Sequence, residues 1–148
     1  MTLKTVCNRE VLVAAKDDSI LEAAKLMREY HAGDVVIVEE RKGSRYPIGI
    51  VTDRDIVIEL IAKETAIGSV TVGDLMCRDL VLAQEDDSIF DAIKLMRLKG
   101  IRRLPVVDKT GALAGIITVD DLIELIAEQL HEIAGLIGRE QTLEKENR

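Results

Sequence analysis

The sequence predicts an α+β fold made of two β-α-β-β-α repeats packed with pseudo-two-fold symmetry. Three observations predict it. The 148-residue chain matches itself at an offset of 69 residues. Each copy orders its apolar runs as strand, helix, strand, strand, helix. A copy of about 60 residues buries too little surface to be secure alone, so two copies must share a core.

The match is closest over residues 17–28, DDSILEAAKLMR, and 86–97, DDSIFDAIKLMR, with nine of twelve positions identical. Upstream, REVLVA (9–14) matches RDLVLA (78–83). Downstream, DVVIVE (34–39) matches RLPVVD (103–108). PIGIVTDRDI (47–56) then matches LAGIITVDDL (113–122), and the offset falls to 66. The missing three residues fall in a turn, where length changes cost least. The copies span residues 6–65 and 74–130, followed by a helical extension and polar tail over 131–148.

Each copy opens with a short apolar run that reads as a strand, Val11–Val13 or Leu80–Leu82. Ser19 and Ser88 then stand where a helix would start. Ile20, Ala23, Ala24 and Met27 recur at helical spacing, as do Ile89, Ala92, Ile93 and Met96. Gly33 and Gly100 follow as expected left-handed caps. Two strands come next, joined by a turn at Lys42-Gly43-Ser44 or Lys109-Thr110-Gly111, which predicts antiparallel hairpins. A second helix follows over 53–64 and 119–130.

Past residue 130 the apolar stripe of the last helix continues through Ile133, Ala134 and Ile137. It packs on the chain's own core or forms a subunit interface. The first copy has no such extension, which favours a symmetric homodimer. The polar tail 139–148 is expected to fray.

Composition narrows the function. Asp plus Glu outnumber Lys plus Arg by 27 to 20, for a formal charge of −7. This argues against nucleic-acid binding, as does the near absence of aromatics for base stacking. No apolar run is long enough to span a bilayer, and the N-terminus lacks the apolar core of a signal peptide. The chain is expected to be cytoplasmic and off the membrane. Cys7 and Cys77 are read as free thiols. Two isolated histidines, His31 and His131, and two isolated cysteines show no metal spacing. His31 reads as a helix C-terminal dipole partner or a surface residue.

The candidate chemistry is a repeated Gly-h-h-Thr-x-x-Asp stretch, where h is apolar. It appears as Gly49-Ile50-Val51-Thr52-Asp53-Arg54-Asp55 and as Gly115-Ile116-Ile117-Thr118-Val119-Asp120-Asp121. Each lies at a strand-to-helix junction, where free N–H groups and the helix dipole suit a ligand. The carboxylate can accept hydrogen bonds from a sugar diol, and glycine permits close approach. Thr-x-x-Asp is also a capping box, and Ser19, Thr71 and Ser88 begin stretches of the same form. Both readings stand at this level.

Taken together, DDSI-x-x-A-x-K-LMR in each helix, RRLPVVD, GIVTDRD and GIITVDD resemble the cystathionine β-synthase (CBS) domain. The order and spacing resemble a tandem pair, a stand-alone Bateman module, over residues 6–130. The resemblance implies two clefts between the copies that take an adenine nucleotide or another adenosyl ligand: AMP, ADP, ATP, S-adenosylmethionine or a dinucleotide. It places Thr118, Asp121 and Ile116 in one cleft, with Ala14, Ala15, Lys16, Ala32, Gly33 and Asp34 lining it. It places Thr52, Asp55, Ile50 and Arg54 in the other, lined by Ala83, Gln84, Glu85, Ile101, Arg102 and Arg103. Ile50 and Ile116 would meet the base or ribose.

The copies differ in charge. Arg102 or Arg103 can pair with a phosphate, or be a solvated pair or an ion-pair partner for the acidic surface. Asp34, at the matching place in the first copy, repels phosphate, and Asp120 replaces Arg54. One well-occupied site is expected, or two with different ligands. No nucleophilic elbow, phosphate-cradling loop or metal cluster is visible, so no catalytic residue or catalytic cofactor is expected. The resemblance implies a regulatory module. With no effector domain in the sequence, it is expected to modulate a partner protein in trans. A structural interaction module without nucleotide is the alternative.

Overall fold

The computed structural model describes residues 1–147. Arg148, the end of the expected tail, lies outside the described residues. The first copy contains β1 (Val13–Ala14), α2 (Ile20–Tyr30), β2 (Asp34–Arg41), β3 (Ser44–Thr52) and α3 (Asp53–Asp55). The second contains β4 (Ala83–Gln84), α5 (Ile89–Lys99), β5 (Arg103–Val107), β6 (Leu113–Thr118) and α6 (Val119–Glu146). Two short helices precede the copies, α1 (Leu3–Val6) and α4 (Val72–Leu75). Each copy forms a three-stranded sheet with its middle strand parallel to the first and antiparallel to the third.

Local chemistry explains most boundaries. The hydroxyls of Ser19 and Ser88 accept from the N–H of Glu22 and Asp91 at 3.1 Å, capping α2 and α5. Lys42 and Gly43, both at positive φ, make the two-residue turn between β2 and β3. The second turn is the longer one, so the residues missing from the second copy are lost from its strands, 5 and 6 residues against 8 and 9, and not from the turn as expected. Asp108 ties that turn, its carboxylate accepting from Thr110 and Ala112.

Four other local expectations change. The first strands start two and three residues later than the apolar runs suggest. Val11 instead packs between the two sheets. Gly100 caps α5 at φ 65°, but His31 at φ 52°, not Gly33, caps α2. The helix expected over 53–64 is one α-turn followed by a π-helical stretch, Ile56–Ile61. Its successive β-branched residues Ile56, Val57 and Ile58 are weak α-helix formers. The polar tail does not fray at 139: α6 runs unbroken to Glu146.

The copies exchange their leading segments. Leu3 is fully buried among Ala83, Ile89, Leu104 and Ile117 of the second copy. Its N–H donates to the Asp87 carbonyl at 2.9 Å, and Lys4 donates to Glu85 at 2.8 Å. Val72, from α4, is fully buried among Ile20, Val35, Val51 and Leu60 of the first copy. Its N–H donates to Asp18 at 2.9 Å, and Gly73 donates to Lys16 at 2.8 Å. Each segment then crosses a β-strand: Asn8 bridges to Ile116, and Cys77 bridges to Ile50.

The motif glycines permit those crossings. A Cβ on Gly115 would sit 2.6 Å from the Cys7 sulfur and 2.7 Å from the Asn8 carbonyl oxygen. A Cβ on Gly49 would collide with Met76. The close approach that these glycines allow is thus by the chain's own exchanged segments. Between the sheets, Val36, Val38 and Ile116 form a third apolar layer with Ile50 and Val13.

Among the described residues, no helix is long and apolar enough to cross a membrane. The stripe on α6 is uncovered: Ile123, Leu130, Ile133, Leu136 and Ile137 are all more than half exposed.

Leu3→Ala is expected to cost about 2–5 kcal/mol, the range for emptying a core leucine site. Gly115→Ala is expected to cost about 1–3 kcal/mol through overpacking against Cys7. Chemical denaturation measures both, and wild-type stability for Leu3→Ala would refute the exchanged-segment core.

Candidate functional site

A cavity of about 350 Å³ opens where the start of β2 faces the start of α6. Its walls come from both copies. The second copy contributes Arg102, Arg103, Ile116, Thr118, Asp120 and Asp121. The first contributes Glu10, Val11, Leu12, His31, Ala32, Gly33 and Asp34.

The strand-to-helix junction positions Thr118 and Asp121. The Thr118 hydroxyl accepts from the Asp121 N–H at 3.2 Å, and Asp121 Oδ2 accepts from the Thr118 N–H at 3.0 Å. Thr52 and Asp55 close the same box at 3.1 and 2.9 Å, and so do Thr71 and Asp74 on α4. The box is therefore a structural device at all three places. It engages one carboxylate oxygen of Asp121 and leaves Oδ1 without a hydrogen bond among the described residues. Ile116, only 6% exposed, gives the cavity an apolar floor.

The strongest polar contact in the wall is between copies. Arg103 Nε lies 2.7 Å from Asp34 Oδ2, and both side chains are mostly buried. These residues occupy equivalent places, each opposite its own copy's threonine: Asp34 pairs with Thr52 and Arg103 with Thr118. Burial pushes the Asp34 carboxyl above the ordinary aspartate range. Arg103 opposes that shift, whereas Asp53 and Asp121 add to it. Gly33 makes room for the pair, because a Cβ there would stand 2.6 Å from an Arg103 guanidinium nitrogen. Arg102 and Asp120 approach only to 3.9 Å with both side chains largely exposed, so water screens them.

The structure thus brings together eight of the sequence-derived residues: Ile116, Thr118, Asp121, Ala32, Gly33, Asp34, Arg102 and Arg103. Arg102 and Arg103 stand in the Thr118 cavity rather than with Thr52 and Asp55. Ala14, Ala15 and Lys16 line a separate cavity with Glu39, Glu40 and Arg45. Ala83 is buried in the second core, Ile101 lines an apolar groove beside α6, and Arg54 is exposed on the surface. Ile50 packs between the sheets.

Sequence reasoning missed Asn8, Glu10, Val11 and Leu12 as lining residues. Only the path of the exchanged N-terminal segment brings them there, and no motif marks it. His31 reaches the cavity because its left-handed cap ends α2 at the rim. Among the described residues, no group of three or more His, Cys, Asp or Glu is placed to hold a metal ion. Cys7 and Cys77 are free thiols, and burial pushes the Cys7 thiol up in pKa.

Comparison with known proteins adds an independent line. The family model described as CBS domain matches residues 3–62 and 72–128. An uncharacterized protein of Methanopyrus kandleri is 39% identical over 120 residues, which are 81% of this chain and 60% of that protein. The CBS domain-containing protein YhcV of Bacillus subtilis is 32% identical over 134 residues, 90% of each chain. Among solved structures, the CBS domain pair of protein MJ0100, in complex with 5′-methylthioadenosine and S-adenosyl-L-methionine, aligns with a TM-score of 0.75. It is 27% identical, covering 85% of this chain and 99% of that one.

The raised Asp34 pKa has a definite sign. The folded state holds this proton more tightly than the unfolded chain. Stability from this group is therefore full below the unfolded pKa and is lost as pH rises through the folded one. Carboxyl-carbon NMR titration is expected to place the Asp34 midpoint above that of an exposed aspartate. Arg103→Met is expected to raise it further, by removing the opposing charge and hydrogen bond. A midpoint that does not move would contradict the pairing.

Proposed function

The chain belongs to the CBS domain family, and from that premise we propose that it is a regulatory adenosyl-ligand-binding module. The observation that carries this reading is the cavity walled by both copies, lined by Ile116 and by Asp121, whose Oδ1 has no hydrogen-bond partner among the described residues. The floor suits an adenine face. The free carboxylate oxygen suits a ribose diol, which needs acceptors. The complex of the MJ0100 domain pair with adenosyl compounds supports the same class of ligand.

Regulation follows from the walls. A ligand touching both copies favours one arrangement of them over another, and only such differential affinity can shift a conformational equilibrium. The module acts on a partner protein in trans, without chemistry of its own. It works in the cytoplasm, where two free thiols such as Cys7 and Cys77 persist. In the second cleft, Thr52, Asp55, Ile50 and Arg54 hold a different ligand or none. Their lining groups Ala83 and Ile101 are committed to packing.

We further propose a homodimer through α6. Ile123, Ile126, Leu130, Ile133 and Ile137 repeat at three- and four-residue spacing, the seam of a paired helix. The same stripe supports the second reading, a protein-interaction module that binds no nucleotide.

Calorimetry with S-adenosylmethionine, 5′-methylthioadenosine, AMP, ATP and NADH tests the main reading. Saturable binding is expected, weakened at least about tenfold (about 1.4 kcal/mol) by Asp121→Asn, which keeps an oxygen for the cap. No binding across the panel would transfer the case to the interaction module. Light scattering on Ile133→Asp is expected to read a monomer against a wild-type dimer.

A further inference from the structure

We propose that the Asp34–Arg103 pair makes this cavity select adenosyl compounds with a neutral or cationic 5′ substituent and reject phosphorylated ones. The proposal rests on the adenosyl-binding reading and adds the charge of the ligand to it.

The cavity wall carries four carboxylates, Glu10, Asp34, Asp120 and Asp121, against two guanidinium groups. Neither arginine is idle. Arg103 is held at 2.7 Å by Asp34, and Arg102 leans toward Asp120 in solvent. A phosphate entering the cavity has two courses. It can draw Arg103 away, which strands a mostly buried Asp34 carboxylate near Asp53 and Asp121. A buried charge stripped of its partner is costly. Alternatively it leaves the pair intact and meets Glu10 and Asp121, with the exposed Arg102 and the rim imidazole of His31 in compensation. Like charges brought together at a binding surface are a means of rejecting wrong partners.

A sulfonium or ammonium group faces the opposite balance, with carboxylates already in place. An uncharged thioether pays neither cost. The pair also ties the copies together at equivalent positions, the opening residues of β2 and β5, so its geometry is fixed by both sheets. Burial raises the Asp34 pKa, and Arg103 opposes that shift through its charge and its hydrogen bond.

The test is calorimetry on the full chain with 5′-methylthioadenosine, S-adenosylmethionine, AMP and ATP, for wild type and Asp34→Asn. Wild type is expected to bind 5′-methylthioadenosine at least about tenfold tighter than AMP, a factor well within what one misplaced charge produces. Asp34→Asn frees Arg103 and is expected to shrink that ratio at least about tenfold by tightening AMP. Mere loosening of the cavity would weaken both ligands and leave the ratio in place. AMP or ATP binding wild type as tightly as 5′-methylthioadenosine overturns the selectivity while leaving the adenosyl reading intact. An unchanged ratio in a folded Asp34→Asn variant overturns the role of the pair. If that variant does not melt cooperatively, the wild-type ratio alone decides. No binding of any of the four to wild type overturns the adenosyl reading and this inference with it.

Discussion

Everything else in this molecule hangs on the reciprocal exchange of leading segments. Leu3 and Val72 each fill the core of the copy that does not follow them directly in the fold's expected order. A small α+β unit has too little interior of its own, and each borrowed residue adds fully buried apolar surface. The exchange also fixes how the copies face each other. Asn8 and Cys77 bridge backbone to backbone onto Ile116 and Ile50, the residues beside the two motif glycines. Removing either glycine's freedom from a side chain would push the segments off those strands. The cavity exists because the N-terminal segment, on its way to the second core, passes along its rim.

The cavity then reflects how duplicated positions diverged. In a repeat with identical copies, the residues opening the two middle strands would be alike, and equal charges would repel across the pseudo-two-fold axis. Asp34 and Arg103 stand at those places with opposite charges at 2.7 Å. Their pairing neutralises two groups that burial would otherwise penalise. Around them the remaining charges are unbalanced toward carboxylates, which gives this face of the protein a sign as well as a shape. The outer faces show the complementary feature, apolar side chains of α6 that no part of the described chain covers.

The capping boxes show how one residue pair serves two ends. Thr118 and Asp121 secure the start of a 28-residue helix. The same bond uses only one oxygen of the carboxylate, and Asp121 lines the space between the copies. Thr71 and Asp74 close the same box on α4 without lining that cavity. The motif therefore carries no ligand meaning by itself. Its meaning comes from what faces it.

The duplicated β-α-β-β-α order, the serine caps at Ser19 and Ser88, the antiparallel hairpins and the threonine boxes were all legible in the residues. All of these depend on periodicity or on bonds spanning a few residues, which local sequence encodes. It also singled out eight residues that the structure gathers into one cavity. Which segments pack together emerged only on folding. The crossing of Leu3 into the second core, the placing of Arg103 with Thr118 rather than Thr52, and the arrival of Glu10 and Leu12 at the rim are long-range contacts. The later start of the first strands and the cap at His31 instead of Gly33 have the same origin. Gly33 is kept small for Arg103, a residue 70 positions away. Repeats state what is alike within each copy. The contacts between copies depend on how they differ, and those differences acquire a partner only when the chain has folded.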